Sequence, residues 1–249
     1  MMHGMRVALF ATCLIDALYP DAGKATVHLL ERLDQPVEFP LEQTCCGQMH
    51  ANSGYFQPSL VRRYIDTFTD YDAIVTPSAS CAGAIRHQHA MIARAAKDER
   101  LAAAAQTTAE KTYELSQFLI DVLHTDDVGA YFPHRVTYHP TCHSLRMLQL
   151  GDRPLRLLKK VRGIDLVDLP NDQECCGFGG TFSIKNPDVS AAMLADKMES
   201  VIETGAEVLC AGDRSCLMHI GGGLERIRAG VKTLHLAEIL ASTDGETAH

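Results

Sequence analysis

Apolar positions along this chain fall into short runs of strand length, separated by longer stretches with helical spacing. The run Arg6 to Ala11 reads as a strand, Ala25 to Leu33 as a helix and Val37 to Phe39 as a short strand. A helix is expected around Pro58 to Phe68, then a strand at Ala73 to Thr76, an alanine-rich helix from Gly83 to Ala105 and another helix at Tyr113 to Leu123. The series then begins again. Val136 to His139 reads as a strand, Ser144 to Leu150 as a helix, Ile164 to Asp168 as a strand, Val189 to Thr204 as a long helix and Glu207 to Ala211 as a strand, with Val231 to Leu240 closing the series. Strands that alternate with helices predict an α/β protein whose sheets are mostly parallel.

The repetition extends to residue identity. Cys13, Cys45, Cys46 and Cys81 return about 130 residues later as Cys142, Cys175, Cys176 and Cys216. Arg6-Val7 returns as Arg135-Val136, Thr12-Cys13 as Thr141-Cys142, Cys45-Cys46-Gly47 as Cys175-Cys176-Gly177, and Ser80-Cys81 as Ser215-Cys216. Lys111-Thr112 returns as Lys232-Thr233. The expectation is two tandem Rossmann-like α/β halves related by a pseudo-twofold, residues 5–125 and residues 134–242. The break falls where Asp126 to Pro133 interrupts the helical pattern. That connection is too short for a tether, so the halves should pack together with their cysteine-bearing edges close.

The chain has 249 residues, 46% of them apolar, enough for an ordinary core. A formal charge of -8 with a pI near 5.8 speaks against nucleic acid as a partner, because phosphate backbones call for clustered Lys and Arg. No run approaches the roughly 18 to 20 apolar residues of a membrane span, and Met1-Met2-His3-Gly4-Met5-Arg6 leads directly into the first strand, so a cytoplasmic protein is expected. Nine cysteines in such a chain point to metal or redox chemistry rather than structural disulfides.

Each repeated cysteine follows a predicted strand. In a parallel sheet the carboxyl ends share one edge, where open α/β folds place ligands, so residues far apart in sequence should meet there. Four thiolates make a soft site suited to zinc or to an iron-sulfur cluster. Structural zinc favours Cys-x-x-Cys pairs, whereas adjacent Cys-Cys side chains suit different irons of one cluster, with the following Gly47 or Gly177 letting backbone approach. In Gly177-Phe178-Gly179-Gly180-Thr181 the glycines Gly177, Gly179 and Gly180 could turn N–H groups toward an anionic cluster; they could equally form a plain loop. Gln48-Met49-His50 stands there in the first half, so the two environments should differ. His139, His143 and His219 are the histidines placed by sequence near the sites, Arg214 could offset cluster charge, and Cys210 ends an apolar strand as an inert thiol would.

The doubled motif, with Cys-Cys-Gly-Phe-Gly-Gly-Thr-Phe-Ser at 175–183 and Asp-Arg-Ser-Cys-Leu-Met-His-Ile-Gly-Gly at 213–222, resembles the cysteine-rich CCG-domain, iron-sulfur-binding family. That family includes the cysteine-rich component of heterodisulfide reductase, the iron-sulfur subunits of glycolate oxidase and lactate utilization protein A. The likeness is greatest to the last, over roughly residues 5 to 240. The resemblance implies an electron-transfer subunit of an L-lactate oxidising complex, lactate to pyruvate, with other subunits, including a ferredoxin-like iron-sulfur protein, as partners. It implies peripheral contact with the inner face of the membrane through those partners. It also implies cluster ligation by Cys13, Cys45, Cys46 and Cys81 in one half and by Cys142, Cys175, Cys176 and Cys216 in the other. In the fuller family motif the last element is Cys-x-x-Cys. Here Ser78 and Asp213 hold the earlier position, which points to a four-cysteine 4Fe-4S site in each half rather than a five-cysteine noncubane cluster. Asp213 could be an oxygen ligand or a plain loop or N-cap residue. The alternatives left open are disulfide cleavage like that of heterodisulfide reductase, a glycolate oxidase-like redox subunit, a structural zinc protein, and thiol-disulfide exchange.

Overall fold

The computed structural model describes residues 4–244, so Met1 to His3, part of the N-terminal segment read above, lie outside the described residues. Eight strands form two sheets: β1 Val7–Leu9, β2 Val37–Glu38, β3 Ala73–Thr76 and β4 Thr112–Glu114, then β5 Arg135–His139, β6 Asp165–Val167, β7 Val208–Ala211 and β8 Lys232–His235. The orders are β2-β1-β3-β4 and β6-β5-β7-β8, and every pairing is parallel. The repeat is kept in register: Val7 pairs with Val37 and Ala73, and Val136 pairs with Leu166 and Val208. The α/β class and the tandem parallel halves are therefore as the periodicity indicates. Central strands β1, β3 and β7 are buried along their whole length, which is why they read as unbroken apolar runs rather than alternating ones.

Several elements differ from expectation. The segment Tyr113 to Leu123, expected as one helix, opens as strand β4 and turns helical only at Leu115–Gln117 and Phe118–Val122, the latter a π-turn. Val231 to Leu240 splits in the same way into β8 and the helix Leu236–Ala241. The switch is made by capping boxes built on Glu114 and His235. Neither residue type is among the usual N-caps, so no boundary was legible there. The alanine-rich segment forms two helices, Ala79–Ala95 and Glu99–Glu110. Lys97 takes a left-handed φ of 59° between them, and Asp98 caps the second by accepting from the Leu101 amide at 2.9 Å. The expected helix at Ser144 to Leu150 forms over Cys142–Arg146, where Thr141 caps it, and a further helix, Arg153–Lys159, follows.

The halves share one core. Val7, Leu29, Ala73 and Val75 of the first half lie in the same buried cluster as Val136, Tyr138, Leu157 and Val208 of the second. Helix Pro20–Arg32 packs on the last helix Leu236–Ala241, and the short helix Leu115–Gln117 packs on Arg153–Lys159, so each half lends its terminal helix to the other. The Arg32 guanidinium donates to the carbonyls of Ala241 at 2.7 Å, Leu240 at 2.6 Å and Val128 at 3.1 Å, which satisfies orphan carbonyls at that helix end. This packing turns the carboxyl ends of both sheets toward a common space.

Candidate metal centre

Each strand ending delivers its thiol in a fixed way. Cys13 and Cys142 open the helices Cys13–Leu18 and Cys142–Arg146, just past β1 and β5. Cys81 and Cys216 lie in the first turns of Ala79–Ala95 and Arg214–Arg226, just past β3 and β7. Cys81 and Cys216 thus lie at the positive ends of those long helices, a position that favours negative charge. Cys45-Cys46 and Cys175-Cys176 come from the loops after β2 and β6. Because β1 and β3 lead away in opposite directions from the middle of the sheet, Cys13 and Cys81 flank the crossover point at which such folds bind ligands.

All eight of these cysteines line a single cavity of about 140 Å³. In the first half Cys46 Sγ donates to Cys81 Sγ at 3.2 Å, and the thiols of Cys13 and Cys46 also bear on Cys45. The second half repeats the arrangement, with Cys142 and Cys176 against Cys175. Hydrogen bonds from Cys13 and Cys46, and from the Gly47 amide at 3.3 Å, pull the Cys45 thiol far below its usual range. Cys142, Cys176 and the Gly177 amide at 3.4 Å do the same to Cys175. Cys13, Cys46, Cys142 and Cys176 are pushed up, because each donates to a neighbouring sulfur that would carry the charge. Four thiols in such contact cannot all ionise unless a cation takes up the charge, and soft sulfur donors select zinc, copper(I) or iron-sulfur centres. The residues fit a metal centre of that kind.

The glycines hold the loops rather than merely permitting them. Gly47 and Gly177 take φ of 82° and 89°, and a Cβ on Gly177 would stand 2.7 Å from the Ser190 carbonyl oxygen. Gly179 and Gly180, with φ of 52° and 62°, line the cavity, and Gly180 packs beneath Met49 of the first half. Thr12, immediately before Cys13, carries φ 73° on a β-branched residue, a strained conformation of the sort that gathers at functional sites.

Several residues beyond the repeated cysteines complete the site. Asp213 is 1% exposed and accepts hydrogen bonds from Ser78 Oγ at 2.7 Å, Ser80 Oγ at 2.8 Å, Thr141 Oγ1 at 2.7 Å and the Ser80 amide at 3.1 Å. It neither caps its own helix nor has an oxygen to spare, so it serves as the bolt between the halves. Gln48 donates to His143 Nε2 at 2.7 Å, which leaves Nδ1–H to donate to Cys142 Sγ at 3.4 Å, a relay that also crosses between the halves. Arg214 borders the cavity, lies over the Tyr19 ring at 4.3 Å and pairs with Glu238 at 3.5 Å. His139 is buried beside Cys176 and Cys216, and burial, reinforced by Lys197, pushes it down to about 3, so its imidazole is neutral. Cys210 is fully buried in the shared core and does not border the cavity. His219 lies tilted against Phe178 with ring centres 5.7 Å apart. Ser78, Thr141 and Gln48 carried no chemical signal of their own, although Ser78 and Asp213 could be found by aligning the two repeats.

The cysteine-rich CCG-domain model matches the chain twice, at residues 7–86 and 136–221. Curated relatives agree in length as well as sequence. Lactate utilization protein A of Geobacillus sp. (strain WCH70) is 47% identical over 240 residues, 96% of this chain and 100% of that protein. The protein of the same name from Geobacillus thermodenitrificans (strain NG80-2) is 47% identical over 238 residues, 95% of this chain and 98% of the other. That of Bacillus cereus (strain B4264) is 47% identical over 240 residues, 96% and 99% of the two chains. With both halves matched and the thiols gathered at one cavity, the chain belongs to the cysteine-rich CCG-domain family, alongside its lactate utilization protein A relatives.

Proposed function

We propose that this protein is an iron-sulfur electron-transfer subunit of an L-lactate oxidising system, with Cys13, Cys45, Cys46 and Cys81 holding one cluster and Cys142, Cys175, Cys176 and Cys216 the other. The observation that carries this is the convergence of two four-thiol sets on one cavity, in a chain whose relatives bear a lactate utilization name. A bound 4Fe-4S centre would supply one-electron redox chemistry. The chain's own part is to hold and tune that chemistry. The helix amino ends at Cys81 and Cys216 and the Gly47 and Gly177 amides favour negative charge on the sulfurs, the relay through His143 orients Cys142, and packing of the two halves places both thiol sets within one space.

Substrate bond chemistry then falls to other subunits, a ferredoxin-like iron-sulfur protein among the partners, and electrons pass onward toward the respiratory chain. No described helix is long and apolar enough to cross a membrane. The experiment is anaerobic purification from cells grown on lactate. Brown protein with iron and acid-labile sulfide, co-purifying with partners that reduce a dye on adding L-lactate, supports the proposal. Colourless protein carrying zinc, or a complex active on glycolate but not lactate, would overturn it.

A further inference from the structure

The two halves repeat their thiols but not what stands behind them. Phe10 follows β1 at the place where His139 ends β5, counted back from Cys13 and Cys142. In the first half that place is apolar: Phe10 packs edge-on against Tyr64 and Phe68, with ring centres 5.2 Å and 5.6 Å away. In the second half it holds an imidazole that is 1% exposed and, among the described residues, has no hydrogen-bond partner on either Nδ1 or Nε2. A ring nitrogen of His139 and the sulfurs of Cys176 and Cys216 all lie within 4.8 Å of one another. Buried polar atoms are normally partnered, and an orphaned imidazole against two thiols has the donor chemistry of a metal ligand. The other candidate for an extra donor, Asp213, is already taken by Ser78, Ser80 and Thr141.

We propose that His139 is a ligand of the second half's metal centre, which thereby has a mixed thiolate and imidazole donor set while the first half's is thiolate alone. This rests on the metal-centre reading above and adds an inequivalence to it. The imidazole joins four thiolates rather than replacing one, so it adds a donor to the second centre without adding negative charge. Lys197 reinforces the difference: it is 1% exposed, donates to the Asn171 carbonyl at 2.6 Å and lies within electrostatic range of Cys175, Cys176 and His139. Phe68 stands at the matching step of the first-half helix, Pro58–Phe68. The extra donor and the nearby ammonium would make the two centres inequivalent toward reduction.

The test uses full-length, anaerobically purified protein, with and without 15N-labelled histidine, as wild type, His139→Phe and His139→Gln. Phe is the first half's own residue at this place, and Gln keeps polarity without the ring, so one variant stands if the other fails to fold. Pulsed EPR of partly reduced wild type should show a directly bound nitrogen whose coupling changes with the label. Both variants should lose that signal, and one of two reduction steps should shift while the other stays in place. Metal-loaded wild type without a histidine nitrogen coupling, or a coupling that survives both substitutions, would overturn the ligand assignment and leave the redox reading intact. Protein that binds only zinc would overturn the redox reading, while imidazole scattering at the zinc edge, lost in both variants, would still uphold His139 as a ligand. Protein without metal overturns both.

Discussion

Ser78 Oγ donates to Asp213 Oδ1 at 2.7 Å, which joins the two residues that occupy matching positions before Cys81 and Cys216. Where the fuller family motif has a cysteine in each half, this chain has a hydrogen bond between halves. The buried carboxylate draws hydroxyls from both halves, so Asp213 also fastens the shared cavity.

Asp213→Ala should therefore destabilise the whole molecule rather than one half. It would strand the hydroxyls of Ser78, Ser80 and Thr141, and losing hydrogen bonds to a buried charge costs about 3 kcal/mol. Chemical denaturation should show a single transition at lower denaturant. A variant as stable as wild type would contradict the interlock.

Removing thiols should separate ligands from the bystander. Cys46→Ser and Cys176→Ser are each expected to lose about half of the bound iron, since each belongs to one set of four. Cys210→Ser should leave iron content unchanged, because that thiol is enclosed in the core away from the cavity. Iron and sulfide analysis of the three proteins checks this directly.

The two loop glycines should differ in their tolerance of a methyl group. Gly47→Ala meets only the Leu60 side chain, at 3.5 Å, so its cost is mainly the positive φ, about 1 kcal/mol. Gly177→Ala adds a clash with backbone, the Ser190 carbonyl at 2.7 Å, and should lower the melting temperature further and deplete metal in the second half. Equal effects at the two positions would show that the Cys175-Cys176 loop gives way more readily than its packing suggests.

Glu114 sets a pH dependence of stability. Burial pushes it up to about 7 against the hydrogen bonds from Ser116 and Gln117, and its Oε1 has no partner among the described residues. A carboxyl whose folded pKa lies above its unfolded value near 4.5 binds its proton more tightly when folded, so stability falls as pH rises from about 4.5 through 7. The full loss is about 3 kcal/mol. Glu114→Gln imitates the protonated form, so its advantage over wild type should grow from about pH 5 to about pH 8, a range that brackets the folded-state titration. Melting curves across that range should diverge; parallel curves would mean the carboxylate is charged in the fold.

Much of this was legible in the residues. The apolar runs at Val7, Ala73, Val136 and Val208 announce central strands because both faces of a parallel sheet are covered. The strands β4 and β8 were hidden because they are short edge strands that run straight into helices, with caps formed by Glu114 and His235. His139 was visible only as one of several histidines near a cysteine, since nothing in the sequence tells whether a buried ring finds a partner.

By itself the sequence determined the duplication, the parallel α/β class and the fact that each half collects four thiols at strand ends, because periodicity and spacing are local properties of the chain. Only the tertiary structure decided that both sets open onto one cavity, that Asp213 is spent on Ser78, Ser80 and Thr141, and that His139, unpartnered among the described residues, stands beside Cys176 and Cys216. Those facts depend on how two sheets pack across a shared core, and side-chain partnership across such a contact is fixed by distance in space rather than by position along the chain.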